Sequence, residues 1–338
     1  HKEYRRQRQM CIRDRHHVRH QHRRRIGSMP CVATTFMTQP APPTRGRLPD
    51  FIVIGTQKGG TTALHHFLAR HPQVAMSRMK ELDFFIDPDR LAPAPSGRRR
   101  QAWHEGIDWY RNWFRTDKQA CGEASPNYTI SPSLASIVAT RMAAVVPDAR
   151  LIYLVRQPFE RILSHYAMMM KRPGAKSVSF EHFVRSGDSV ATSCYGSLLR
   201  VYLDHFPRER ILILESADLR ARRRESLATV FRHLGVDQTF WCRWFERDVH
   251  VGARLPHVSA QGTRVRDSTP LRWLRRSLPD SISFHAERLC LAPFAIAPPT
   301  TDLPAPLRAD LFSRLREEMD LLRRLSGQPL PTLELPTP

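Results

Sequence analysis

No apolar run in this chain of 338 residues is long enough to cross a bilayer, so a membrane-spanning helix is not expected. No CxxC pair occurs either: Cys11, Cys31, Cys121, Cys194, Cys242 and Cys290 are scattered. That spacing argues against a zinc site and against a dense disulfide framework, and points to a reducing compartment. There is no internal repeat. Acidic residues are scarce, 32 against 53 Lys and Arg, which leaves a formal charge of +21. A surface that basic favours anionic partners: nucleotide phosphates, nucleic acid, acidic glycans or anionic lipid. What the chain does have is 41% apolar residues and 9% aromatics, enough to bury a core and to exclude a wholly disordered chain.

The excess charge is uneven. Residues 1–29 hold ten Lys or Arg and two acids, dominated by Arg and His, and lack the apolar middle of a signal peptide. This stretch reads as a non-native leader rather than a nucleic-acid arm. Met10-Cys11-Ile12-Arg13-Asp14 is what a sequencing-transposon end encodes in frame, and a start at Met29 or Met37 is expected. Thr38 to Pro49, rich in Pro and Thr, reads as a linker. The expected organisation is a basic leader and linker over 1–49, one domain over 50–330 and a short tail over 331–338. With no signal peptide or anchor in view, a cytoplasmic location is expected.

Phe51 to Ile54 is a short β-branched apolar run, read as a buried parallel strand. A glycine-containing turn follows, then helical spacing from Thr61 to Arg70. Further strands are read at Arg150 to Val155 and Ile211 to Leu214. Helices are read at Pro132 to Val146, Phe159 to Lys171, Tyr195 to Phe206 and Leu219 to Leu234. Residues 250–306 read as irregular, and Leu307, Leu311, Leu315, Met319, Leu322 and Leu325 as the stripe of a closing core helix. The alternation predicts an α/β fold: a P-loop-NTPase-like central parallel sheet flanked by helices.

Gly55-Thr56-Gln57-Lys58-Gly59-Gly60-Thr61-Thr62 sits where a Walker loop would sit. Backbone N–H groups at such a turn, with the following helix N-terminus, cradle an anion. The Walker pattern needs Lys directly after its last Gly, and here that position is Thr61; the lysine lies inside the loop, at Lys58. Mg²⁺-dependent NTPases also place an Asp at a neighbouring strand end, whereas the strand ending at Val155 delivers Arg156. The positive charge therefore comes from protein at two separated points, and no metal is expected. A nucleotide carrying a 5' phosphate chain and a 3' phosphate fits that layout.

At these residues the chain resembles the sulfotransferase superfamily that uses 3'-phosphoadenosine-5'-phosphosulfate (PAPS) as donor. It is most like the heparan sulfate N- and 3-O-sulfotransferase branch, in a bacterial-type member, over roughly residues 50–235. The resemblance implies that Thr56, Gln57, Lys58, Gly59, Gly60, Thr61 and Thr62 form the 5'-phosphosulfate loop, and that Arg156 and Ser164 hold the 3' phosphate. It also places the family's catalytic glutamate on Glu81, in Lys80-Glu81-Leu82-Asp83-Phe84-Phe85. Gly106-Ile107-Asp108-Trp109-Tyr110 and Glu123-Ala124-Ser125-Pro126-Asn127-Tyr128 match further family blocks. Three departures bear on the acceptor. Ala124 stands where the heparan enzymes often have Lys, Asp83 stands where the 3-O enzymes have His, and only Gln261-Gly262-Thr263-Arg264 offers a loose counterpart of the late cofactor loop.

Sulfuryl transfer, like phosphoryl transfer, rests on positioning and charge stabilisation. Glu81 is expected to take the proton of an acceptor hydroxyl or amine, with Asp83 behind it. The bland alternative for Glu81 is pairing with Lys80. Lys58 is expected to offset charge on the leaving phosphate, and Arg156 to clamp the 3' phosphate unless a nearby acid takes it. Ser164 is read by its spacing from Arg156. Arg98-Arg99-Arg100 reads as a solvated loop or an acceptor contact, Trp109 and Tyr110 as core, and His65 and His66 as packing residues. The expected partner is a carbohydrate or glycolipid acceptor, with nucleic acid not expected. The competing readings are a P-loop kinase or NTPase and a basic nucleic-acid-binding protein.

Overall fold

Five short stretches can be buried on both faces, and they build the sheet. They are β1 (Phe51–Gly55), β2 (Val74–Met76), β3 (Ala120–Ala124), β4 (Arg150–Val155) and β5 (Ile211–Glu215). The order is β2-β3-β1-β4-β5 and every pairing is parallel. The computed structural model describes residues 46–87, 103–171, 178–247, 257–271, 273, 280–296 and 300–335. The leader, most of the linker and Arg98-Arg99-Arg100 lie outside the described residues.

Alternate strand residues point to opposite faces. Ile52, Ile54, Leu151, Tyr153 and Val155 enter one core, and Phe51, Val53, Ile152 and Leu154 the other. In chain order the helices are α1 (Thr61–Leu68), α2 (Gly106–Arg111), α3 (Pro132–Val145), α4 (Pro158–Met170), α5 (Phe180–Arg185) and α6 (Asp188–Ala191). Then follow α7 (Tyr195–Leu203), α8 (Ser216–Ala221), α9 (Arg223–Leu234), α10 (Ala260–Arg266), α11 (Asp280–Leu291) and α12 (Ala305–Ser326). Leu134 and Val138 of α3, Leu198 and Tyr202 of α7, and Met319 and Leu322 of α12 fill the first core. Leu64 and Phe67 of α1 and Val230 and Phe231 of α9 fill the second. A third cluster joins Ile162 and Tyr166 of α4 to Phe180, Val190 and Phe312.

Local chemistry sets the helix starts. Pro132 and Pro158 each open a helix, where a missing N–H costs nothing. Ser131 caps α3 through the Leu134 N–H, and Gln157 caps α4 through the Glu160 N–H at 2.6 Å.

The structure differs from the sequence reading in three places. The expected helix over Leu219 to Leu234 is two helices, because Arg222 leaves helical geometry at φ −121 and ψ 52. The stretch read as irregular carries α10, α11 and a two-stranded antiparallel ribbon, His257–Val258 with Ala295–Ile296. The start of the expected tail is packed: Leu333 is buried, and the Thr332 N–H and hydroxyl donate to Glu215 Oε2 at 2.8 and 2.5 Å.

Candidate active site

In a parallel sheet of this kind ligands bind beyond the carboxyl ends of the strands, where the order reverses. Here that place lies past β1 and β4, which are neighbours although β2 and β3 come between them in sequence. The turn after β1 closes tightly on β4. Thr56 N–H donates to Leu154 O at 2.7 Å, its hydroxyl donates to Thr192 O at 3.4 Å, and Gly59 N–H donates to Thr56 O at 3.0 Å. A side chain at Gly59 would meet Thr56 O at 3.0 Å and Leu154 O at 3.1 Å, so only glycine allows this approach. Gly60 caps α1 with φ 98, a left-handed conformation that glycine adopts without strain. Thr56, Gly59 and Thr61 are buried, while Gln57, Lys58, Gly60 and Thr62 are half-buried at the mouth. Thr56, engaged at both N–H and hydroxyl, supports the loop rather than facing the cradle. The N–H groups of the first turn of α1 have no acceptor within the helix and make its N-terminus electropositive.

The cations converge on Lys58. Burial lowers the pKa of its amine, and Arg156, Lys171 and Arg161 lower it further. Arg156, just past β4, donates from Nη1 to Lys58 O at 3.5 Å and pairs through Nη2 with Glu160 Oε2 at 3.1 Å. The i,i+4 pair with an acid, the bland alternative for Arg156, is thus present. Because Glu160 is half exposed, the pair is weak and exchangeable. Ser164 stands half-buried on α4, two turns after Arg156. Lys171, at the end of α4, and Arg266 of α10, which lowers the pKa of Lys171, were missed in the sequence. No motif surrounds either of them. Gln261-Gly262-Thr263-Arg264 lies inside α10 rather than in a loop.

The carboxylates sit on the other flank. The segment after β2 runs beside β3: Ser77 N–H donates to Gly122 O at 2.9 Å and Glu81 N–H to Ala124 O at 3.1 Å. Glu81 and Asp83 both adopt left-handed backbone, φ 63 and 51. Glu81 is half-buried and paired with Lys80 Nζ at 2.5 Å. Asp83 is buried; both its oxygens accept from Asn127 Nδ2, at 3.0 and 2.9 Å, and its N–H donates to Ser125 Oγ at 3.1 Å. Gln57 of the loop donates to Asn127 Oδ1 at 2.6 Å. Asn127 therefore couples the glycine loop to the turn that carries Glu81. Beneath it, Glu123 of β3 is fully buried. Its Oε1 accepts from Tyr110 (2.6 Å) and Tyr128 (3.0 Å), and its Oε2 from Ser125 (2.6 Å). Burial raises its pKa to about 7, against the pull of these three hydroxyls.

Glu123 bears on the kinase reading. Besides the strand ending at Val155, β3 also borders β1, and it carries an acid. Both oxygens of that acid are taken by hydroxyls, which makes it a poor counterpart of a metal-holding carboxylate. Tyr110 and Trp109 belong to the core, stacked on Phe84 at 4.1 and 6.2 Å. His65 is buried, and its pKa falls to about 4 through desolvation and the nearby His66 and Lys80.

A family profile described as a sulfotransferase domain matches residues 48–249. The bifunctional heparan sulfate N-deacetylase/N-sulfotransferase 2 of Homo sapiens is 27% identical over 236 residues, covering 60% of this chain and 25% of that protein. The membrane-associated sulfotransferase kil1 of Dictyostelium discoideum is 33% identical over 165 residues, covering 45% of this chain and 31% of its own length. The chain thus spans about a quarter to a third of these curated relatives. Among solved structures, a sulfotransferase from Alicyclobacillus acidocaldarius is similar in fold, with a TM-score of 0.57 at 21% identity, covering 85% of this chain and 99% of that one.

Proposed function

This chain belongs to the sulfotransferase domain family, and from that premise we propose that it transfers a sulfuryl group from 3'-phosphoadenosine-5'-phosphosulfate to a hydroxyl or amine of a carbohydrate or glycolipid acceptor. The observation that carries the donor half is Lys58, a half-buried amine whose pKa is pulled down by burial and by three neighbouring cations. A doubly anionic nucleotide relieves that field. The glycine loop and the start of α1 suit its 5' end, and Arg156 with Ser164 suits its 3' phosphate. The relatives named for heparan sulfate support a carbohydrate acceptor.

The donor supplies an electrophilic sulfur bonded to a good leaving group. On this chain Glu81 takes the proton of the acceptor O–H or N–H as the new bond to sulfur forms. Lys58 stabilises the negative charge left on the 5' phosphate as the bond from sulfur to the phosphate oxygen breaks. Lys80, in contact with Glu81, holds the carboxylate in place until an acceptor arrives.

The test has two arms. Calorimetry with adenosine 3',5'-bisphosphate in EDTA is expected to show binding, and ATP with Mg²⁺ to bind more weakly. Labelled sulfate from the donor is expected to reach an oligosaccharide, and Glu81→Gln to lower that turnover by about 10²- to 10⁴-fold with bisphosphate binding retained. Binding of ATP–Mg²⁺ alone would sink the reading in favour of an NTPase.

A further inference from the structure

Arg161 is fully buried on α4, where an arginine is expensive. Its Nε donates to Ser193 Oγ at 2.6 Å, its Nη2 to Ser189 Oγ at 2.6 Å and to Ser189 O, and its Nη1 is buried without a partner among the described residues. Every acceptor it meets among the described residues is neutral. Burial lowers its pKa to about 10, and Arg156 adds to the lowering. An apolar side chain of similar volume would serve stability as well or better, because a buried charge held by neutral groups does not recover its desolvation cost. The arginine therefore calls for a reason other than stability.

The segment it grips supplies one. His165, one helical turn beyond Arg161, also meets Ser189 Oγ, at 3.1 Å. Thr192 O accepts from the Thr56 hydroxyl of the glycine loop at 3.4 Å. Tyr195 donates its hydroxyl to Arg156 O at 2.8 Å. A single stretch, 189–195, thus touches the Lys58 loop, the backbone of Arg156 and the helix carrying Ser164. We propose that Arg161 is a positioning residue: by tying α4 to residues 189–193 it sets the spacing between the Lys58 loop and the Arg156–Ser164 grip, and with it the preference for a nucleotide bearing a 3' phosphate. The inference rests on the PAPS reading of the same site. A forked guanidinium suits this task, since it spans two serines in one plane where an ammonium makes a single-point contact.

The experiment compares affinities for adenosine 3',5'-bisphosphate and for AMP, which lacks the 3' phosphate, alongside melting temperature. Wild-type protein should prefer the bisphosphate. Arg161→Met should melt at the wild-type temperature or above, since Ser189 and Ser193 keep other contacts, to His165 and Pro158 O. Its preference for the bisphosphate should fall at least about tenfold, the scale of one charge-assisted contact put out of place. Its KM for donor should rise with kcat little changed, and Arg161→Lys should restore part of the preference. If Arg161→Met does not fold, Ser189→Ala with Ser193→Ala is measured in its place, with the same ratio expected to fall. A folded variant with the wild-type ratio overturns the positioning role and leaves the donor reading intact. Wild-type protein without the preference overturns the donor reading itself.

Discussion

Substituting Glu123 by Gln tests how the site is built from beneath. Glu123 has no exposed surface, and three hydroxyls surround its two oxygens. Burial raises its pKa from 4.5 to about 7. The folded protein therefore holds this proton more tightly than the unfolded chain does. The resulting stabilisation is full below the unfolded value of 4.5 and is lost as pH rises through 7. The shift corresponds to about 3 kcal/mol between these limits, or roughly 5–10 °C in melting temperature for a domain of this size. Gln copies the protonated acid: its carbonyl can accept from Tyr110 and Tyr128, and its amide can donate to Ser125 Oγ. Both tyrosines keep their protons throughout, because burial pushes their pKa values well above 10. The assay is urea unfolding of wild type and Glu123→Gln between pH 5 and 8. Wild type should lose most of this stability relative to the variant as pH rises. His65 acts with the opposite sign in the acid range, since its pKa of about 4 removes stability as pH falls from 6.5. It is common to both proteins and cancels in the difference. Parallel curves for the two proteins would show that folding does not raise the pKa of Glu123.

Two further outcomes follow from the loop. Lys58→Ala should fold normally and lose about 10²-fold or more in kcat, measured by labelled-sulfate transfer, because in the proposed reaction it removes the charge that offsets the leaving phosphate; near-wild-type turnover would remove Lys58 from the mechanism. Gly60→Ala should destabilise the protein by about 1–2 kcal/mol in thermal unfolding, because its φ of 98 is left-handed while the space for a methyl group is open, with Ser216 Oγ 3.5 Å away.

Much of this was legible in the sequence, for reasons that differ by element. β1, β4 and β5 are continuous apolar runs, which a strand buried on both faces requires. β3 was not legible. It reads Ala-Cys-Gly-Glu-Ala, and its place beside β1 depends on close approach: a side chain at Gly122 would meet Phe51 O at 2.4 Å. A glycine and a buried glutamate look like a loop until their neighbours are known. The glycine loop and Arg156 stood out because their chemistry is local, a turn and a strand end. Arg161 and Lys171 did not, because in a chain with 53 Lys and Arg no pattern separates a buried cation from a solvated one. Asn127 was legible as part of a motif but not in its role, which exists only once Gln57 and Asp83 meet it from two other segments.

The distribution of costs argues for the site independently of motif or likeness. Among the described residues, Lys58, Glu81 and Asp83 are three of the four non-glycine residues with positive φ. Each costs on the order of 1–3 kcal/mol unless its surroundings hold it in place. What holds the acidic turn is the Ser125–Asn127 network, which itself rests on a buried glutamate. On the basic flank a buried arginine faces, among the described residues, only neutral acceptors and stands near another cation, Arg156. A fold selected for stability alone would relax each of these features, and cheap substitutions exist for most of them. The proposed reaction gives them a common reason to persist around one crevice: the strained turn would present a carboxylate and the crowded cations would meet an anion.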